Sequence, residues 1–161
     1  MPLLNASAPL PPYRYVPGLN PHPFRHPAGH MYTDGCAPDE RPWTPFASWM
    51  DDERFKLGLD LFNHRYMWEA HEAWEALWHF SGRESPERAL LKSLICCAAA
   101  CLKAHVGATS PAARLCTTAE TVMQPWHHIE TIYGVRHKAV TGDTRAFLAS
   151  GPWPVISPAM P

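Results

Sequence analysis

The segment YMWEAHEAWEALWHF, residues 66–80, concentrates the side chains of this chain that could do chemistry. It holds three tryptophans, two histidines and three glutamates. If the segment is an α-helix, His71, Glu72 and Glu75 share one arc of about 120°. An imidazole and two carboxylates at positions i, i+1 and i+4 can ligate a divalent metal or transfer protons. These three residues are therefore the candidate catalytic acid–base or ligand cluster.

Two interpretations of this ionisable face remain open. It is either a solvated surface, on which Glu75 and His79 form an i,i+4 pair, or one wall of a polar pocket between helices. Trp68 and Trp78 lie at the ends of the face and favour partial burial, because large aromatic side chains are costly to leave in water. The opposite arc is apolar and should pack against a neighbouring helix; it holds Ala70, Ala73, Trp74, Leu77 and Phe80.

A second group of residues could contact a ligand bound at this face: Tyr66, Trp68, Trp78, Lys103 and His105. Lys103 could offset the carboxylates of the pocket, or it could be an ordinary surface lysine. His105 stands at the predicted end of the next helix, where a simple capping role is the alternative.

A metal site on this helix would need ligands from elsewhere in the chain. The sequence HEAWE, residues 71–75, has Glu75 where the HExxH pattern of zinc peptidases has its second histidine. The proline-rich amino-terminal segment offers His22 and His30. We expect that segment to lie across helix two, with helix three or a second subunit as the alternatives. The candidate metal ligands are therefore His71, Glu75, His22 and His30. Such a site would be mononuclear.

The run LDLFNHRYMWEAHEAWEALW, residues 59–78, resembles the signature of the bacterial and archaeal family called domain of unknown function 309. The matching positions are Phe62, Asn63, Tyr66, Glu69, Ala70, His71, Glu72, Glu75 and Trp78. The chain departs from the family pattern at His64, Cys96 and Ala108, where the family commonly has Gly, Gln and Asn. The resemblance covers about residues 51–148. It implies an all-helical bundle with a shared polar site on the His-Glu helix, and it implies no particular reaction.

Composition limits the classes of protein to consider. A chain of 161 residues with 46% hydrophobic content suits one domain with a sizeable core. The net charge of −1 and the absence of Lys or Arg runs argue against nucleic-acid binding. No apolar run approaches the roughly 20 residues that a membrane span needs. Five cysteines, an odd number, argue against a disulfide framework. We expect a cytoplasmic protein with no nucleic-acid or membrane partner.

The chain divides into three predicted parts. Residues 1–45 hold 11 of the 18 prolines together with many aromatics, which predicts an extended arm packed on the bundle. Residues 46–150 should form the helical bundle, and residues 151–161 an extended tail. Small residues around Cys96, Cys97 and Cys101 indicate close helix packing, with a soft-metal site as the alternative. That packing could lie within one chain or across a homodimer.

The predicted fold is an all-α bundle of four to six helices. The first helix should start at Thr44-Pro45 and end at Asn63, and the second should cover residues 66–81. Ser85-Pro86 should start the third, which ends before Gly107. Ser110-Pro111 should start the fourth helix, which ends before Pro125. A short helix should cover residues 126–133, and another should lie near residues 144–148.

The predicted function is that of a helical domain whose helix-two face binds a small polar ligand or fixes the arm. The alternative is a mononuclear metal-dependent enzyme, hydrolytic in type, that uses His71, Glu72 and Glu75 with a divalent cation. Stoichiometric metal in purified protein would favour the enzyme.

Overall fold

The computed structural model describes residues 2–33 and 42–160. Over these ranges the chain forms five α-helices, two short 3-10 helices and no β-strand, which confirms the predicted all-α bundle. The α-helices are α1 Glu53–Asn63, α2 Met67–Trp78, α3 Pro86–His105, α4 Thr109–Thr121 and α5 His137–Leu148. No helix among the described residues is long and apolar enough to cross a membrane.

Helix α3 is the centre of the bundle. It packs against α2, α4 and α5, while α1 packs on α2. Its start and end follow from local sequence. At the start, the Ser85 side chain accepts the Arg88 N–H at 3.1 Å and Pro86 is the first helical residue. Gly107, with φ +77°, comes just after the end. Ser at the N-cap and Gly in the left-handed region are the residues these positions favour.

The predicted start of the first helix at Thr44-Pro45 is wrong. Residues 44–48 are not helical, a 3-10 turn covers Trp49–Asp51, and α1 begins at Glu53. Asp52 is the N-cap, and its Oδ1 accepts the Phe55 N–H at 3.0 Å. Its Oδ2 accepts the Trp43 indole N–H at 2.7 Å and the Tyr133 hydroxyl at 2.9 Å. One capping bond and two partners outside the helix, Trp43 and Tyr133, therefore make Asp52 the better cap.

The predicted helix over residues 126–133 is also wrong. A 3-10 helix covers only Gln124–Trp126, and Ile132 pairs with Val135 across a tight turn. The turn residues Tyr133 and Gly134 have φ of +49° and +76°, which no α-helix accommodates. The last helix begins at His137, seven residues before the predicted Thr144, and its cap uses no side-chain hydrogen bond.

Residues 2–33 form turns and extended chain without a helix; residues 34–41, the rest of the predicted arm up to Arg41, lie outside the described residues. Polar side chains of α1 hold both ends of the chain. The buried Asp60 carboxylate accepts the N–H groups of Leu4 and Asn5 at 2.8 and 2.7 Å. Asn63 exchanges two hydrogen bonds with the backbone of Ile156, at 2.9 and 2.7 Å. Helix α1 is thus the anchor for arm and tail.

Candidate functional site

The arm lies across α2. The indole of Trp68 is surrounded by the rings of Tyr15, His22 and Phe24, with centroids 5.4, 5.5 and 5.5 Å away. Two residues earlier, the Tyr66 hydroxyl donates to the carbonyl oxygen of Pro11 at 3.0 Å. Trp68, placed by sequence at the edge of the ionisable face, is therefore covered by the arm.

A buried carboxylate completes this attachment. Glu69 Oε1 accepts the Tyr15 N–H at 2.8 Å and lies 3.0 Å from His30 Nε2. Only 2% of the Glu69 side chain and 3% of the His30 side chain are exposed. The Tyr13 ring packs edge-on against the His30 imidazole at 4.5 Å, and the Tyr13 hydroxyl accepts the His30 backbone N–H. The histidine is held by contacts on both sides.

The second oxygen of this carboxylate, Glu69 Oε2, is buried and has no hydrogen-bond partner within residues 2–33 and 42–160. A buried carboxylate oxygen without a donor costs folding free energy, because water that would solvate it is excluded. Glu69 thus presents an unused acceptor at the place where arm and helix meet.

A cavity of about 380 Å³ lies between the arm and the helices α1 and α2. Its walls are mainly apolar and include Pro9, Pro11, Phe24, Met31, Leu57, Leu61, Ala73 and Ala76. Two carboxylate residues, Glu69 and Glu72, are also on its walls, with His30 and Arg54. A mostly apolar enclosure with few polar groups is typical of small-molecule sites.

The predicted cluster of His71, Glu72 and Glu75 is assembled on α2. One ligand atom from each lies within 4.8 Å of the others. His71 Nδ1 is 3.3 Å from Glu72 Oε1, but the two atoms are not aligned as a hydrogen bond. About a quarter of the His71 and Glu72 side chains is exposed. Because Glu72 also lines the cavity, the cluster adjoins it.

The structure does not bring the arm histidines to this cluster. Among the described residues, the only group with metal-ligand proximity consists of the three α2 side chains. His30 uses Nε2 on Glu69. His22 Nδ1 accepts the Phe24 N–H at 3.2 Å within its own turn, and its ring packs against Trp68. A nearer carboxylate and a local turn thus engage His30 Nε2 and His22 Nδ1 in this structure, and metal ligation by His22 or His30 stays a prediction.

The other residues predicted to contact a ligand lie in different parts of the structure. Trp78 packs under the Arg88 guanidinium of α3, 4.0 Å from the ring centroid. Lys103 is exposed in the last turn of α3. Tyr66 and His105 line a second cavity, separate from the Glu69 cavity. These residues therefore do not form one site with His71.

Sequence reasoning missed Glu69 as a site residue. Two signals pointed to it. At about 100° from Trp68 on the helical wheel it falls between the ionisable and the apolar arcs, where a carboxylate is partly shielded by the apolar neighbours. It also belongs to the Glu-Ala-His-Glu run quoted above. Its partners lie 54 and 39 residues away in the chain, so the pairing itself has no local signature.

Residues 55–115 match the family described as Domain of unknown function (DUF309). This part of the chain is similar to that family. The matched span contains nearly all of α1, then α2, α3 and the start of α4, and so it includes Glu69 and the His71 cluster. The arm, with His30 and Tyr15, lies before the matched span. No curated protein and no solved structure matches the chain.

Proposed function

We propose that this chain is a ligand-binding domain in which the arm closes a cavity over α2 and Glu69 receives the cationic end of a small molecule. The observation that carries the proposal is the buried Glu69 carboxylate on the cavity wall. One of its oxygens contacts Tyr15 and His30, while the other has no donor among the described residues. A bound ammonium group would supply that donor.

The remaining walls suit the rest of such a ligand. Proline, leucine, alanine and aromatic side chains favour an alkyl or ring body, since each methylene that leaves water contributes about 0.8 kcal/mol. A charge-assisted hydrogen bond to a desolvated carboxylate is roughly twice as strong as a neutral one. The ligand class is therefore a primary amine with an apolar body, and the order of preference is cation over alcohol over anion.

Isothermal titration calorimetry with three probes of equal length tests this order: hexylammonium, hexanol and hexanoate. The wild-type protein should bind hexylammonium with saturation, hexanol less tightly and hexanoate least. Glu69→Gln keeps the side-chain shape and an acceptor for Tyr15 but removes the charge, so it should weaken hexylammonium binding by roughly tenfold. The proposal fails if the three probes bind alike or if Glu69→Gln leaves hexylammonium affinity unchanged.

Divalent-metal binding at His71, Glu72 and Glu75 is a second candidate function, favoured by the 4.8 Å limit on their ligand-atom separations. Three protein ligands with open positions are typical of catalytic rather than structural metal sites, and a cation held there could polarise a substrate or activate water for hydrolysis. Titration with Co²⁺, followed by its visible absorption, tests this candidate. Glu75→Gln should weaken binding, whereas Glu84→Gln, in an exposed loop, should not.

The two candidates separate experimentally. Glu75→Gln should leave hexylammonium binding intact, because Glu75 is not on the cavity wall. Glu69→Gln should leave Co²⁺ binding intact, because Glu69 is not part of the cluster.

A further inference from the structure

A second cavity, of about 600 Å³, lies where four segments of the chain meet. The arm contributes Arg14, the turn between α1 and α2 contributes Arg65 and Tyr66, the last turn of α3 contributes His105, and the tail contributes Trp153. None of these segments makes the cavity alone. It is separate from the Glu69 cavity, with which it shares only Pro12.

The charged groups on these walls have one sign of charge. Arg14 and Arg65 are both on the lining, and no Asp or Glu is. Within residues 2–33 and 42–160, no carboxylate forms an ion pair with either arginine. Two cations that line one space without a counterion among the described residues, in a chain of net charge −1, make that space locally attractive to anions.

Trp153 gives this cavity a flat apolar wall. Its ring packs against Phe147 with centroids 4.2 Å apart, which fixes its position against α5. The Arg65 guanidinium lies 5.5 Å from the indole centroid, and the His105 ring lies 5.5 Å away as well. The indole therefore holds Arg65 beside the cavity by a cation–π contact and leaves the guanidinium donors for another partner.

Arg65 occupies a backbone position that would suit another residue better. Its φ is +70°, in the left-handed region that glycine and asparagine adopt at least cost. An arginine at this position is a backbone outlier next to a cavity, and such outliers cluster at ligand sites. The positive charge at the turn is thus present despite a conformational cost.

We propose that this cavity binds small organic anions, with a phosphate or carboxylate group between Arg14 and Arg65 and a flat ring against Trp153. Guanidinium groups match both anions in geometry, because each presents paired N–H donors to paired oxygens. The apolar side chains Val16, Leu19, Met67 and Leu102 complete the walls and favour an aromatic body over a bare ion. The inference does not depend on the amine site proposed at Glu69.

Calorimetric titration of the full-length protein with phenyl phosphate, benzoate, inorganic phosphate and phenol tests this proposal. The two aromatic anions should bind with saturation, and the tighter one identifies which anionic group the site prefers. Inorganic phosphate and phenol should each bind more weakly, since each offers only half of the contacts. The indole N–H signal of Trp153, assigned by its loss in Trp153→Phe, should shift on titration and report binding at this cavity.

Two variants and a matched control complete the experiment. Arg14→Gln, and Arg65→Asn, which keeps a residue tolerant of positive φ, should each weaken binding of the aromatic anion by roughly tenfold. Arg25→Gln removes an exposed arginine of the arm that is not on the cavity wall and should have no effect. The proposal is overturned if neither aromatic anion saturates, or if Arg25→Gln weakens binding as much as Arg14→Gln.

Discussion

His30 Nε2 lies 3.0 Å from Glu69 Oε1 although the two residues are 39 positions apart, and both side chains are almost completely withdrawn from solvent. This contact joins the proline-rich arm to the middle of the His-Glu helix. With the Tyr15 N–H on the same oxygen, it makes one carboxylate part of both the arm attachment and the polar lining of the cavity. Arm docking and ligand binding should therefore be coupled.

Removing the carboxylate should detach this part of the arm. Glu69→Ala leaves the Tyr15 N–H and the His30 imidazole buried without their acceptor, which should lower the free energy of unfolding by roughly 2–3 kcal/mol. Urea unfolding measures the loss, and limited proteolysis within residues 1–33 should become faster. Glu84→Ala, an exposed glutamate, is the control and should change neither. An arm that stays protected in Glu69→Ala would show that Glu69 does not hold it.

Asp60 should hold the first residues of the arm, as Glu69 holds the part around Tyr15 and His30. Its two oxygens accept the N–H groups of Leu4 and Asn5, and both oxygens are needed. Asp60→Asn replaces one acceptor by an N–H₂ group that faces a donor, so stability should fall by about 1–3 kcal/mol. Hydrogen exchange at the amides of Leu4 and Asn5 should accelerate while exchange in α3 changes only with global stability. Unchanged protection of both amides would contradict the assigned bonding.

A pair of glycine substitutions tests the packing of α1 on α2. A Cβ at Gly58 would overlap the fully buried Trp74 indole, so Gly58→Ala should cost about 1–3 kcal/mol through overpacking. Gly142, inside α5, has no atom near the place of an added Cβ, so Gly142→Ala should stabilise by about 0.5–1 kcal/mol. Thermal unfolding of the two variants should therefore shift in opposite directions. Equal shifts would rule out the close α1–α2 approach at Gly58.

Buried acidic groups should make the fold sensitive to alkaline pH. Burial raises the pKa of Cys101 from about 9 to about 12, and it raises the pKa of Cys97 further. The pKa of Tyr133 is also raised, first by burial and then by its contact with Asp52. The folded protein keeps these protons above pH 9 while the unfolded chain loses them. The stability that these protonated groups contribute is fully present below their pKa values in the unfolded chain. It is lost as pH rises from about 9 toward 12, by at most about 1.4 kcal/mol per pH unit for each group.

Urea unfolding at pH 8, 9.5 and 10.5 measures this slope. The double variant Cys97→Ala, Cys101→Ala should show a shallower fall than the wild type over the same range, since two of the three groups no longer titrate. Parallel slopes in the two proteins would exclude the buried thiols as the cause.

Local signals explain which parts of the fold could be predicted from sequence. Ser85-Pro86 and Gly107 bound α3 correctly because a cap, a fixed φ and a left-handed residue act within one turn of the helix end. Thr44-Pro45 carries the same kind of signal, yet α1 starts at Glu53. The residue before Glu53, Asp52, accepts hydrogen bonds from Trp43 and Tyr133. Because Tyr133 is 81 residues away, no local signal identifies that contact.

In the candidate site, too, some contacts follow from local sequence and others depend on tertiary structure. The proximity of His71, Glu72 and Glu75 follows from helical periodicity and needs no tertiary contact. The pairing of Glu69 with His30, and the convergence of Arg14, Arg65 and Trp153 on one cavity, depend on where the arm and tail cross the bundle. That path is set by acceptors on α1 and α2, such as Asp60, Asn63 and Glu69, whose partners no periodicity identifies.

The amide of Tyr15 is the most direct reporter of the proposed amine site, because it donates to the Glu69 carboxylate. Titration of ¹⁵N-labelled protein with hexylammonium should shift the Tyr15 amide signal in a saturable manner, and Glu69→Gln should greatly reduce that shift at the same concentrations. Hexanoate, as the matched probe, should not produce it. A Tyr15 signal that stays unmoved while hexylammonium saturates, or that moves equally in Glu69→Gln, would contradict the assignment of Glu69 as the ligand's partner.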